Sequence, residues 1–164
     1  MNEPGGPVAV MSHSPERTIE LGRRAGALLR GGETVSLIGE LGSGKTRFAQ
    51  GVAQGLGVKD IVVSPTFLIH RTYHGRIALH HFDFYRLTSE MDLESVGFFD
   101  FQAENPPSVV VVEWADKFPE ALDEPILQVR FHLGPQETDR SVQFSPCGLA
   151  PGLWEALAGE VQTP

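Results

Sequence analysis

The chain has 164 residues, 41% of them hydrophobic and 21% charged, a composition typical of one soluble globular domain. Its 21 acidic residues outnumber the 13 basic ones, and the net charge of −8 disfavours direct binding to nucleic acid, which depends on neutralising phosphates with Lys and Arg. No apolar run approaches the roughly 18 residues of a membrane span, no secretory signal is expected, and the single Cys147 excludes an internal disulfide or a thiolate zinc cluster.

The N-terminal residues predict a tail followed by a helix. Residues 1–12 are Gly, Pro and small side chains without periodicity, so we predict a flexible tail, and one domain over residues 13–164. Ser14 followed by Pro15 is typical of an N-cap and a first helical position, and the two glycines at 31–32 end the predicted helix.

A strand, a glycine-rich loop and a second helix are predicted next. Residues 34–38 are a short apolar run with β-branched side chains, typical of a buried strand. After the loop, Phe48, Val52 and Leu56 recur every four residues and predict the apolar face of a helix, which ends at Gly57.

The remainder alternates short apolar runs with turn signals, which predicts short strands and helices. In chain order these are a buried strand at 60–63, a hairpin of 68–73 and 76–82, a short helix at 89–96 opened by a capping box, a central parallel strand at 109–112, a late hairpin of 126–133 and 141–144, and a terminal helix at 151–161. We find no internal repeat and no second domain.

The glycine-rich loop fits the phosphate-binding pattern G-x-x-x-x-G-K-[ST], known as the P-loop. Glycines allow its backbone N–H groups to turn towards phosphate oxygens, and the following helix adds its N-terminal dipole. Lys45 is predicted to bind the β- and γ-phosphates of ATP, and the Thr46 hydroxyl to bind Mg²⁺. The residues assigned to nucleotide binding are Glu40, Leu41, Gly42, Ser43, Gly44, Lys45, Thr46 and Arg47.

Two carboxylates are candidates for the magnesium site. Glu113 directly follows the strand at 109–112, and the carboxyl end of a parallel strand lies beside the mouth of such a loop. Aspartate is more usual there, and the alternative interpretation is an exposed Glu that merely ends a strand. Asp83 is a second candidate for a carboxylate directed towards Mg²⁺.

Thr66 follows the predicted strand at 60–63 and has two interpretations. It could belong to a switch segment that senses the γ-phosphate and Mg²⁺, or Pro65 could simply mark a turn. His80 and His81 are adjacent on a predicted strand, so their side chains point to opposite faces and make a poor metal pair.

The distribution of arginines favours an ATPase regulated by a partner. A small-molecule kinase of this size would carry an arginine-bearing lid, and the longer segments lack paired arginines. No cis arginine finger stands out, although Arg47, Arg86 and Arg140 are candidates. A partner that supplies such a cation can raise hydrolysis by roughly 10³–10⁵-fold.

Four motifs in this order resemble the bacterial TsaE (YjeE) family: residues 39–46, Ser64-Pro-Thr-Phe67, His81-Phe-Asp-Phe-Tyr-Arg-Leu87 and Val112-Glu-Trp114. The resemblance runs from about residue 14 to residue 144. It implies a single-domain α/β P-loop NTPase fold with a central parallel sheet, antiparallel edge strands and flanking helices.

The resemblance also implies the function. Family members are ATPases required for the threonylcarbamoyladenosine modification of tRNA, and their hydrolysis of ATP drives the cycle of the TsaD–TsaB transferase. The partners would hold the tRNA, which agrees with the acidic charge of this chain. The need for ATP and Mg²⁺ places the protein in the cytoplasm.

The resemblance assigns roles to individual residues. It places ATP at Lys45 and Trp114, and Mg²⁺ at Thr46, Glu113 and Asp83, with Lys45, Glu113, Asp83 and Thr66 as the catalytic set. Two alternatives stay open, a small-molecule kinase and a nucleotide-binding switch with negligible hydrolysis. The segment after residue 144 lies outside the motifs.

Overall fold

The computed structural model describes residues 5–164 and contains seven strands and five α-helices within that range. The strands are β1 (Val8–Ser12), β2 (Thr34–Ile38), β3 (His70–His74), β4 (Ala78–Asp83), β5 (Val109–Glu113), β6 (Ile126–Leu133) and β7 (Arg140–Cys147). The helices are α1 (Pro15–Leu28), α2 (Lys45–Gly55), α3 (Glu90–Ser95), α4 (Phe98–Gln102) and α5 (Pro151–Gln162).

One mixed sheet organises the chain, with the strands in the order β1-β7-β6-β2-β5-β4-β3. The four central strands, β6, β2, β5 and β4, are parallel, and the pairs towards both edges are antiparallel. The predicted central parallel sheet with antiparallel edge strands is therefore confirmed. Within the described residues, no helix combines the length and the apolar character needed to cross a membrane.

Side chains alternate between the two faces of the sheet, and each face has its own core. Along β5, Val109 and Val111 pack with α1, α2 and α5, whereas Val110 and Val112 pack with α3 and α4. This alternation places Glu113 on the same face as α2, where the glycine-rich loop ends.

The predicted helix signals have the expected geometry. The Ser14 hydroxyl accepts a hydrogen bond from the backbone N–H of Arg17 and caps α1. The Asp92 carboxylate accepts hydrogen bonds from the backbone N–H groups of Thr88 and Ser89, and so stabilises the start of α3. Both helices form where the sequence predicts them.

Two sequence predictions are wrong. The predicted tail extended to residue 12, but residues 8–12 form the edge strand β1, whose five residues pair antiparallel with β7; residues 1–4 lie outside the described range. Residues 60–63 were predicted as a buried strand, but they lie outside the sheet, and Ile61 is 86% exposed. The sheet position beside β5 is occupied by β4 instead.

Helices α1 and α2 touch along their backbones because glycines face each other. A Cβ atom on Gly22 would overlap the carbonyl oxygen of Phe48, and one on Gly51 would overlap that of Ile19. Gly26 and Gly55 make equivalent contacts across the same interface. No side chain of any size fits between the two helices at these positions.

We therefore expect Gly22→Ala to lower the melting temperature by several degrees, because overpacking costs about 1–3 kcal/mol and 1 kcal/mol shifts Tm by roughly 2–4 °C in a domain of this size. Circular dichroism melting curves measure the change. The matched control is Gly159→Ala in α5, where a Cβ would meet nothing within 4 Å. The control should be neutral or stabilising, and an equal loss in both variants would contradict the packing argument.

Candidate functional site

The glycine loop, residues 39–44, connects the end of β2 to the start of α2. Gly42 and Gly44 have φ angles of 75° and 110°, in the left-handed region that favours glycine. A Cβ on Gly39 would lie 2.5 Å from Ser43 Oγ and 3.0 Å from Phe131 Cβ, so this position also excludes a side chain. The loop thus brings bare backbone to the first turn of α2, whose N–H groups lack intrahelical partners.

Lys45 is the first residue of α2, and the glycine loop surrounds its ammonium group. Its Nζ donates hydrogen bonds to the carbonyl oxygens of Gly39 and Glu40 at 2.6 and 2.8 Å, and the residue is only 4% exposed. Burial lowers the pKa of Lys45, while the carboxylates of Glu113 and Asp83 act in the opposite direction. The loop therefore holds a buried cation at its centre.

The Glu113 side chain, at the end of β5, contacts residues of both α2 and β4. Its Oε1 accepts a hydrogen bond from the Thr46 hydroxyl at 2.7 Å, and its Oε2 lies 2.7 Å from Nε2 of His81. Glu113 is 3% exposed, so both carboxylate oxygens are held in a buried setting. The predicted proximity of Thr46 and Glu113 is present in the structure.

Asp83 lies beside Glu113 because the two residues are in register across the parallel strands β4 and β5. The Thr66 hydroxyl donates a hydrogen bond to Asp83 Oδ2 at 2.9 Å, and Ser64 does so at 3.3 Å. The backbone N–H of Tyr85 donates to the other oxygen at 2.9 Å. The structure thus joins the segment that carries Thr66 to the second carboxylate of the site.

Trp114 directly follows Glu113 and has an unusual backbone conformation, with φ 58°. Its ring centroid lies 4.1 Å from Lys45 Nζ, which is the geometry of a cation–π interaction. The Tyr85 ring packs at 5.0 Å from it. The left-handed turn therefore places an aromatic ring against the cation of the glycine loop.

Almost all of the predicted site residues line one cavity of about 340 Å³. It is lined by Leu41, Gly42, Ser43, Gly44, Lys45, Thr46, Arg47, Ser64, Thr66, Asp83, Tyr85, Glu113 and Trp114. Glu40 is the exception, and it lines a neighbouring cavity of about 650 Å³ that shares Leu41 and Trp114 with the first.

A further groove of about 240 Å³ continues from the glycine loop towards the start of α1. It shares Gly42, Gly44 and Arg47 with the central cavity, and Ser14, Thr18 and Thr138 are among its other lining residues. The loop therefore separates two adjoining spaces, one beside the carboxylates and one beside α1.

The three candidate arginines have different environments. Arg140 Nε and Nη2 donate hydrogen bonds to the carbonyl oxygens of Ser43 and Gly42, at 3.1 and 2.9 Å, so its guanidinium fastens β7 to the glycine loop. The Arg86 guanidinium lies 5.5 Å from the ring centroid of Phe67. Arg47 is exposed at the edge of the central cavity.

The oxygen ligands of the site fit Mg²⁺ and a nucleotide. A hydroxyl from Thr46 and carboxylates from Glu113 and Asp83 are the hard ligands that Mg²⁺ prefers, and Mg²⁺ usually completes its coordination with substrate phosphates and water. Across residues 5–164, no group of three or more His, Cys, Asp or Glu side chains is arranged to hold a metal ion without such help. The bare backbone and Lys45 provide the complementary positive surface for phosphates.

Several residues of the site were not in the predicted set. Ser64 and Tyr85 line the central cavity, and His81 holds Glu113. Arg140 is predicted only as a candidate arginine finger, and in the structure it holds the loop instead. A signal for His81 was present in the sequence, since a strand places residues 81 and 83 on the same face. The contacts of Arg140 depend on β7 reaching the loop, which no local pattern indicates.

Comparison with known proteins identifies the family. Residues 12–142 match the family model described as "Threonylcarbamoyl adenosine biosynthesis protein TsaE". The chain is 40% identical over 117 residues to the tRNA threonylcarbamoyladenosine biosynthesis protein TsaE of Treponema pallidum, covering 70% of this chain and 83% of that protein. It is 36% identical over 137 residues to the protein of the same name from Bacillus subtilis, covering 82% and 83%.

A solved structure has a similar fold. The crystal structure of YdiB from Bacillus subtilis superposes with a TM-score of 0.70 and 28% sequence identity, and the match covers 94% of this chain and 93% of that one. The fold, the family model and the sequence relatives lead to one conclusion. This chain belongs to the TsaE family of threonylcarbamoyl adenosine biosynthesis proteins.

Proposed function

We propose that this protein is a Mg²⁺-dependent P-loop ATPase that serves the formation of threonylcarbamoyladenosine in tRNA. The observation that carries the proposal is the convergence of Lys45, Thr46 and Glu113 on one cavity, at the junction of a parallel strand, a glycine loop and a helix. Membership of the TsaE family supplies the biological process.

Different residues of the site are assigned to phosphate binding, to metal binding and to sensing the γ-phosphate. The glycine loop and Lys45 bind the phosphate oxygens and stabilise the negative charge that develops as water attacks the γ-phosphorus and the bond to ADP breaks. Thr46, Glu113 and Asp83 would hold Mg²⁺, which as a Lewis acid would stabilise the negative charge of the phosphates. Thr66 donates a hydrogen bond to Asp83, which supports its proposed role in a switch segment that senses the γ-phosphate.

The protein acts with partners rather than alone. Arg140 uses its guanidinium to hold the glycine loop, so this arginine is not directed at a transferring phosphate in the structure. The net charge of −8 argues that other subunits hold the tRNA. We propose that these partners are the TsaD and TsaB subunits of the transferase, acting in the cytoplasm where ATP and tRNA are present.

The proposal is tested by measuring ATP hydrolysis by the purified chain, first alone and then with TsaD, TsaB and tRNA. We expect slow turnover alone and a clear increase with the partners. Turnover that depends instead on a small hydroxyl compound would indicate a kinase. Nucleotide binding without turnover, in a complex shown to assemble, would indicate a passive switch.

Trp114 provides a direct probe of nucleotide binding. Because its ring lies 4.1 Å from Lys45 Nζ, phosphates that bind Lys45 should alter the environment of the indole and change its fluorescence. Titration with ATP and Mg²⁺ measures the change, and a Trp154→Phe variant removes the other tryptophan of the chain, which is buried in the core. A flat titration at saturating nucleotide would contradict the placement of Trp114.

A further inference from the structure

His81 is a buried polar side chain that the proposed mechanism does not use. It is fully buried on β4, with 0% exposure, and its Nε2 lies 2.7 Å from Oε2 of Glu113. Burying an imidazole beside a carboxylate is costly unless the hydrogen bond between them is formed. The contact is therefore a specific feature of the site.

The strand geometry explains how His81 reaches Glu113. His81 and Asp83 lie two residues apart on β4, so both face α2, and Asp83 is in register with Glu113 on the neighbouring strand. His81 consequently contacts Glu113 from β4, whereas Thr46 contacts it from α2. Each carboxylate oxygen of Glu113 has its own partner, Oε1 with Thr46 and Oε2 with His81.

The other ring nitrogen fixes the direction of this hydrogen bond. Among the described residues, Nδ1 of His81 has no hydrogen-bond partner and is buried. A proton on Nδ1 would bury an N–H group without an acceptor, which costs about 1–3 kcal/mol. The favoured tautomer therefore carries its proton on Nε2 and donates a hydrogen bond from Nε2 to Glu113.

We propose that His81 is a positioning residue for Glu113 and thereby for Mg²⁺. By holding Oε2, it leaves Oε1 as the oxygen that faces the Thr46 hydroxyl and the metal. Partners of metal-binding carboxylates act in this way in other sites, and their removal typically costs about 10–100-fold in metal affinity or activity. The inference rests on the proposed function, because it assigns His81 a role towards the magnesium of that site.

Two substitutions of His81 distinguish a role in positioning Glu113 from a role in core packing alone. In His81→Gln the side-chain amide nitrogen is the same number of bonds from the backbone as Nε2, so it can still donate to Glu113. In His81→Asn the amide is one bond shorter and corresponds to Nδ1, which has no partner. Both variants replace the ring with an amide, so they share the cost of removing an imidazole from the core.

The readout is the affinity for β,γ-imido-ATP, measured by calorimetry with Mg²⁺ and with EDTA. We expect His81→Asn to lose about tenfold or more in affinity with Mg²⁺ and little with EDTA, while His81→Gln retains most of the Mg²⁺-dependent affinity. Equal behaviour of the two variants, or losses of the same size with and without Mg²⁺, would overturn the inference. A wild-type protein that binds no nucleotide would instead overturn the proposed function.

A second measurement needs no variant. Nitrogen-15 chemical shifts of the wild-type imidazoles, recorded without metal or nucleotide, report which ring nitrogen carries the proton. We expect His81 to be protonated on Nε2. A proton on Nδ1 alone would overturn the inference, because an unprotonated Nε2 cannot donate a hydrogen bond to Glu113.

Discussion

Replacing Lys45 with alanine is expected to abolish productive nucleotide binding and turnover. Lys45 is 4% exposed and its Nζ donates hydrogen bonds to the Gly39 and Glu40 carbonyl oxygens, so its charge is fixed within the glycine loop. Loss of one fixed donor to a developing phosphate charge costs about 10²–10³ in rate, and a fixed cation contributes at least as much. Calorimetry with ATP and a phosphate-release assay measure the two effects.

The control for this variant is Lys59→Ala, which removes an equal charge from an exposed position outside the central cavity. Lys45→Ala also leaves carbonyl oxygens without their donor, which destabilises the loop by about 1–3 kcal/mol. Melting curves should therefore accompany the assays, so that binding is measured on folded protein. Unchanged affinity and turnover in Lys45→Ala would refute the assigned role.

Replacing Glu113 with alanine is expected to reduce hydrolysis by a larger factor than nucleotide binding, although Mg²⁺-dependent binding should also fall about tenfold. Glu113 accepts the Thr46 hydroxyl hydrogen bond and stands in register with Asp83, and in the proposed mechanism it holds the metal rather than the phosphates. A bound metal contributes several kcal/mol to transition-state stabilisation, so we expect turnover to fall on the order of 100-fold or more.

Glu120→Ala is the matched control, because Glu120 is an exposed carboxylate in a short turn after β5. Steady-state kinetics at saturating Mg²⁺ and ATP, combined with nucleotide titrations, separate the two losses. If Glu113→Ala weakened binding and hydrolysis by the same factor, Glu113 would be acting on ground-state binding and the metal-orienting role would be wrong.

The parts of the fold that depend on local sequence were predicted well. The strand, the glycine loop and α2 follow directly from apolar periodicity and glycine spacing, and the structure confirms all three. Strand β1 was missed because its formation depends on pairing with β7, more than a hundred residues later, and its composition is that of a tail. Residues 60–63 have the composition of a strand but are not part of the sheet.

The candidate site likewise combines residues that local motifs predict with residues that only the tertiary structure brings together. The loop residues and Glu113 were found from motifs, and the structure brings them to one cavity. That Asp83 lies next to Glu113 depends on the register of β4 against β5, which spacing alone does not give. The adjacent positions of His80 and His81 argue only against a metal pair, and the contact of His81 with Glu113 depends on the same register, which the sequence does not give.

The backbone contact between α1 and α2 has a mechanical consequence for the site. With glycines in direct contact, the two helices form one stiff block that carries Lys45 and Thr46 on one side of the cavity. Another part of the cavity wall comes from the irregular segment 61–68, whose Thr66 and Ser64 hydroxyls donate hydrogen bonds to Asp83. The cavity thus has one rigid wall and one compliant wall, and shape changes that follow nucleotide binding should concentrate in the compliant one.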